Sequence, residues 1–185
     1  MPNLERPNRQ TIRVQSWDYS SNATYFVTLV AHERQHLFGE IIDGAMQINS
    51  YGQIVVDEWQ RSAAIRQELA LDEWVIMPNH LHGIVWVQLA NAEERARSRA
   101  PLPIKTSEHG IRIAPKSLGA FINAFKGAVT TRINTLRDTR GQPIWQRNYY
   151  ERIVRNKPEL LATQNYIQAN AANWAGDAEN SMLPI

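Results

Sequence analysis

The chain has 185 residues, of which 43% are hydrophobic and 21% charged, a size and balance that suit one soluble domain around a single core. It has no cysteine, which excludes a disulfide framework and a thiolate zinc site and fits a reducing cytosol. No apolar run approaches the roughly 20 residues of a membrane span, and the polar N-terminus lacks a signal-peptide core, so a cytoplasmic protein with no membrane contact is expected.

The net charge of +2 conceals an asymmetry along the chain. Residues 1–94 hold 6 Lys/Arg against 12 Asp/Glu, residues 95–157 hold 14 against 3, and residues 158–185 hold none against 3. A stretch as basic as 95–157 is a candidate phosphate-binding surface, because neutralising phosphates releases counterions. A solvated loop plus one charged helix face would give the same count.

In chain order, residues 1–22 are polar and contain Pro and Asn, which predicts an irregular arm. Thr24 to Val30 is β-branched and aromatic and predicts a strand. Leu37 to Ile42 and Ala45 to Ile48 flank Asp43-Gly44, a two-residue hairpin signal. From Gln53 to Leu69 the spacing of Ile54, Val55, Trp59, Ala63 and Leu69 approximates a helix. Leu71 to Met77 reads as a strand, Pro78-Asn79 interrupts it, and His80 to Val87 continues as a second extended segment.

Residues 89–114 carry Arg95, Arg97 and Arg99 with little periodicity and predict a mobile basic loop inside one domain spanning 23–174. The clearest helix runs from Lys116 to Leu136, with an apolar stripe of Leu118, Phe121, Ile122, Phe125, Val129, Ile133 and Leu136. An aromatic segment, Trp145 to Tyr150, follows. Pro158, at a first helical turn, opens a last helix through about Asn173, with 175–185 as a tail. The expected class is α+β: an antiparallel sheet with helices packed on one face and the other face offered to a ligand.

Two stretches could carry chemistry. On a strand His80 and His82 project to the same side while Leu81 turns to the other, so the two imidazoles could jointly hold a divalent cation. A pair of surface histidines would read the same. Near the C-terminus, Tyr166 and Asn170 are four apart and share a helical face. Asn170 offers a carbonyl oxygen suited to a hard cation. Tyr166 offers a phenol, which with a pKa of about 10 is a poor nucleophile unless a cation or base stabilises the phenolate. Packing and capping would also account for this pair.

The phrase Met77-Pro78-Asn79-His80-Leu81-His82 resembles the His-hydrophobic-His (HUH) motif of the single-tyrosine transposases, especially the REP-associated ones. Three further blocks look like the same family in the same order. They are Tyr25 to Thr28 followed by His36 to Gly39, then Phe125-Lys126 with Arg132-Ile133-Asn134, then Trp145 to Glu151 continuing through Arg155-Asn156. The likeness covers roughly residues 10–174.

The resemblance implies a ferredoxin-like or RRM-like sheet with both histidines on a central strand and the nucleophile on a C-terminal helix. Carried over residue by residue, it implies His80, His82 and Asn170 as metal ligands, Tyr166 as nucleophile, and Mg²⁺ or Mn²⁺ as cofactor; Mn²⁺ suits a two-imidazole site better. It also implies cutting and rejoining of single-stranded or hairpin DNA through a 5′-phosphotyrosine bond, by a nucleoid-associated monomer or homodimer. The alternative is an inert hairpin-DNA-binding module, and a third reading is an unrelated metal hydrolase.

Tyr149 and Tyr150 are rival nucleophiles. Tyr166 is preferred, because only it has an Asn four residues on and the resemblance places the nucleophile in this helix. Ala171 stands where the family commonly has proline after the Asn. Lys126, Arg132, Arg147, Arg152 and Arg155 are candidates to track phosphates, and Trp145 to stack a base, though surface and core roles would suit each equally.

Overall fold

The structure, a computed structural model, describes residues 22–88 and 117–176. The expectations for residues 1–21, for the loop 89–114 and for 177–185 lie outside the described residues. Among the described residues six strands and three α-helices follow in order: β1 Ala23–Val30, β2 Gly39–Ile42, β3 Ala45–Ile48, α1 Ser50–Ala64, β4 Leu69–Met77, β5 His80–Val87, α2 Leu118–Leu136, β6 Tyr150–Val154 and α3 Lys157–Ala169.

The main sheet has the order β4-β5-β1-β6 with every pair antiparallel. With α1 between β1 and β4 and α2 between β5 and β6, this is the split βαβ arrangement of the ferredoxin-like fold, as expected. The β2–β3 hairpin is inserted ahead of α1. Its turn residues Asp43 and Gly44 have φ of 50° and 74°, the left-handed pair that a two-residue hairpin turn requires.

Strand alternation divides the side chains between two layers. Tyr25, Val27 and Leu29 of β1 and Leu81 and Val85 of β5 face α1 and α2, where Trp59 meets Phe121 and Phe125 at ring distances of 5.1 Å each. Gly83 lies in that layer because Trp59 leaves no room for more. A Cβ at Gly83 would stand 2.7 Å from the Trp59 ring.

Helix α1 starts three residues ahead of the expected Gln53. Asn49 caps it, accepting from the backbone N–H groups of Tyr51 and Gly52, and donates Nδ2 to the Leu37 carbonyl. The helix also stops short of Leu69, which is taken up by pairing with Val87 in the sheet. β6 was not expected as a strand. It is a short strand at the edge of the sheet whose only partner among the described residues is β1, a long-range pairing that leaves no local pattern.

The third helix departs from the expected one-faced packing. α3 lies against β4 and β5, and its Ile167 joins Phe26, Ile84 and Val154 in a second, smaller apolar cluster. Those residues occupy the strand positions that alternate with the main core, so α3 covers the opposite face of the sheet from α1 and α2.

Candidate active site

His80 and His82 lie on β5, one of the two central strands, and Leu81 between them is in the main core. Their rings are 4.3 Å apart, and both are buried, with exposures of 0% and 3%. They face the layer covered by α3 and the turn after it, so they form a covered pair and not a surface pair.

Hydrogen bonds decide how each ring presents itself. Asn79 donates Nδ2 to the Arg34 carbonyl at 3.2 Å, which turns its Oδ1 to Nδ1 of His80 at 2.8 Å. An amide oxygen only accepts, so the proton of His80 is assigned to Nδ1 and Nε2 keeps its lone pair. Burial, with His82 and Arg34 adding to it, pushes the His80 pKa down to about 2, which leaves the ring neutral. Its Nε2 is buried and has no hydrogen-bond partner among the described residues. A neutral imidazole whose Nδ1 is held by a carbonyl oxygen is the usual preparation of a metal ligand.

His82 is held from both sides. Its Nδ1 lies 2.9 Å from Oγ1 of Thr28 on β1, and its Nε2 lies 3.2 Å from the Tyr166 hydroxyl. With the ring proton on Nδ1 and donated to Thr28, Nε2 accepts from the phenol. Phe26 stacks on His82 at 5.3 Å and meets the Tyr166 ring edge-on at 6.1 Å. The structure therefore brings His80, His82 and Tyr166 together.

Asn170 is the C-terminal cap of α3, one turn beyond Tyr166 and 2% exposed. The helix ends there although Ala171 is not proline. Trp174, a further turn on, lies with its ring 5.9 Å from that of His80. Asn170 is thus bracketed along the chain by one residue against His82 and another against His80.

Polar ties at two strands hold α3. Asp72, in the β4 bulge between Leu71 and Trp74, accepts from Gln164 Nε2 at 2.8 Å and from the Trp86 indole at 2.9 Å. Burial works against the Asp72 charge, but the bonds from Trp86, Gln164 and the Glu73 backbone outweigh it and hold its pKa below the usual carboxylate range. On β6, Arg152 donates to Thr163 at 3.0 Å and lies 3.6 Å from Glu159.

The other expected DNA contacts separate. Trp145 is 6% exposed, packed between Phe38 and Phe125, so its faces are not open to a base. Lys126 donates to the carbonyls of Gln146 at 2.6 Å and Asn148 at 3.2 Å, tying α2 to the segment before β6, and burial pushes its pKa down to about 8. Arg132 pairs with Glu58 at 2.9 Å and Asp57 at 3.2 Å, a tie between α2 and α1. Arg147, Arg152 and Arg155 are exposed, and Arg152 stands on the site face with its guanidinium 5.9 Å from the Phe26 ring centre. Tyr149 is half-buried against the main core, and Tyr150 is exposed on the site face.

Sequence reasoning missed Thr28, Asn79, Trp174, Asp72 and Gln164. Asn79 stood next to His80 in the motif and Thr28 ended a matching block, so two signals were present. Asp72 and Gln164 are 92 residues apart and carried none.

No family model matches the chain. It is 32% identical over 170 residues to an uncharacterised protein of Haemophilus influenzae, covering 92% of each chain. Among solved structures it is similar to a REP-associated tyrosine transposase bound to a REP hairpin, at a TM-score of 0.57 and 16% identity, covering 88% of this chain and 74% of that one. The chain belongs to one family with the Haemophilus influenzae protein, and its fold is that of the REP-associated tyrosine transposase.

Proposed function

We propose that the protein is a metal-dependent, single-tyrosine endonuclease and strand transferase acting on single-stranded or hairpin DNA. The observation that carries this reading is the Tyr166 hydroxyl 3.2 Å from His82, beside a second imidazole whose buried Nε2 keeps an unused lone pair. The hairpin-bound state of the similar transposase adds support for the substrate class.

The residues fit a divalent cation. Two imidazoles on one face, each with Nδ1 engaged, would turn Nε2 toward it, and Asn170 is the candidate oxygen ligand. The amide of Asn170 and the DNA phosphate itself would add oxygen ligands to the two imidazoles. When bound, Mg²⁺ or Mn²⁺ would polarise the scissile phosphate and screen its charge.

The chain's own residues do the rest. The Tyr166 oxygen attacks phosphorus in line, giving up its proton to solvent and forming the Tyr–O–P bond as the bond to the 3′-oxygen breaks. That oxygen takes up a proton from solvent, so no net proton is gained or lost. The resulting 3′-hydroxyl can attack the phosphotyrosine in reverse, so rejoining needs no ATP. Phe26 and Thr28 hold the His82 ring beside the phenol, 5.3 Å between ring centres, while Asp72 and Arg152 hold the helix that carries the phenol.

The test is a denaturing gel with a labelled single-stranded hairpin library, Mn²⁺ or Mg²⁺, and Tyr166→Phe beside wild type. A metal-dependent, protease-sensitive shifted band that the variant lacks supports the reading. Binding with no adduct on any hairpin would leave an inert binding module. Cleavage retained by Tyr166→Phe without an adduct would indicate a water-activating hydrolase.

A further inference from the structure

We infer that the open part of the sheet face beside His82, formed by Tyr150 with Phe26 and Arg152, is a stacking subsite for a nucleobase of single-stranded DNA, a nucleotide step or two from the scissile phosphate. The inference rests on the function proposed above and adds a base-binding residue to it.

The sheet register places the subsite. Thr28 of β1 is paired with His82 of β5 on one side and with Tyr150 of β6 on the other. Directly paired residues point to the same face, so Tyr150, Thr28 and His82 form one row across the site face. Two strand spacings of about 4.8 Å separate the ends of that row, roughly 10 Å between backbones. Helix α3 packs over β4 and β5 and leaves the β6 end of the row uncovered: His82 is 3% exposed, whereas Tyr150 is 48% exposed.

An exposed tyrosine alone is ordinary on a protein surface. This one is braced. The Phe26 ring meets Tyr150 edge-on at 6.4 Å, and the same Phe26 stacks on His82, so one buried aromatic joins the subsite to the site. Arg152, two residues along β6 and on the same face, holds its guanidinium 5.9 Å from the Phe26 ring centre and is tethered to Thr163. A braced phenol ring beside a planar cation is the arrangement that stacks bases without regard to sequence. The exposed Arg147 and Arg155 flank it on the same segment and suit the accompanying phosphates.

The experiment uses full-length Tyr166→Phe protein, which keeps the strand intact, and a DNA hairpin with 2-aminopurine walked through its single-stranded flank. Stacking is expected to quench fluorescence at one position or two adjacent ones. Adding Tyr150→Ala should abolish that quench and weaken binding roughly 5- to 100-fold, while Tyr150→Phe should keep both. Unchanged quench and affinity in Tyr150→Ala overturn the subsite. If wild type forms no adduct on any hairpin yet the Tyr150-dependent quench is present, the chemistry falls and the subsite stands. If the adduct forms and the quench ignores Tyr150, the reverse holds. No binding to single-stranded DNA overturns both.

Discussion

The Tyr166 hydroxyl rests on Nε2 of His82 at 3.2 Å, the lone pair that a cation held by both histidines would require. One lone pair cannot accept a phenol proton and bind a metal together, so the two states compete. Tyr166→Phe removes the competitor while leaving the ring's packing on Phe26. The variant should bind Mn²⁺ about 2- to 10-fold more tightly than wild type, the worth of one net hydrogen bond, in isothermal titration calorimetry. Equal affinities would mean that the phenol does not compete for His82.

A pH effect follows from His80. Its pKa falls from an unfolded value of about 6.5 to about 2 in the fold, so the unfolded chain binds the extra proton between those limits. The stability tied to this neutral, buried ring is therefore complete above pH 6.5 and is lost as pH falls below it, at up to about 1.4 kcal/mol per pH unit. His80→Asn, which cannot take up that proton, should show a shallower acid limb in denaturant melts collected from pH 7 to pH 4. An identical limb would place the acid sensitivity elsewhere.

Asp72→Ala removes the acceptor shared by Gln164 and the Trp86 indole. The local cost should be about 1–3 kcal/mol and should fall on α3. Amide exchange is expected to quicken across 157–169 while the β1–β5 amides stay protected. DNA affinity should hold as adduct formation slows, since the helix that carries the nucleophile is loosened. Uniformly faster exchange would show instead that Asp72 supports the whole fold.

Gly83→Ala places a methyl 2.7 Å from the buried Trp59 ring, which is wedged against Phe121 and Phe125 and has little room to move. Overpacking of this kind costs about 1–3 kcal/mol. Thermal unfolding should show a lower Tm, by about 2–4 °C per kcal/mol for a chain of this size. A Tm within a degree of wild type would mean that Trp59 can give way.

Arg132 and Arg147 should separate in a salt titration of DNA binding. Arg147 is exposed and forms no ion pair among the described residues, so Arg147→Ala should shallow the slope of log K against log salt by about 1. Arg132 is spent on Asp57 and Glu58, so Arg132→Ala should leave the slope alone and lower stability. Equal slopes for both variants would remove Arg147 from the DNA path.

Local pattern alone determined much of this protein. The period of two in Pro78 to Val87 put His80 and His82 on one side and Leu81 on the other, because successive strand side chains must alternate. Asp43-Gly44 set the hairpin, since a two-residue turn needs left-handed backbone. The stripe from Leu118 to Ile133 marked a core helix with no knowledge of its partner. Tertiary structure decided what depended on distant partners. β6 is a strand only because β1 offers it an edge, and Trp145, identical in sequence terms to a base-stacking residue, lies in the core because Phe38 and Phe125 enclose it. Helix α3 buries only Thr163 and Ile167, too little apolar surface to announce which face of the sheet it would take. Its place over the histidines comes from Asp72, Arg152 and the phenol of Tyr166, contacts between residues 11 to 92 positions apart that only the folded chain brings within hydrogen-bonding distance.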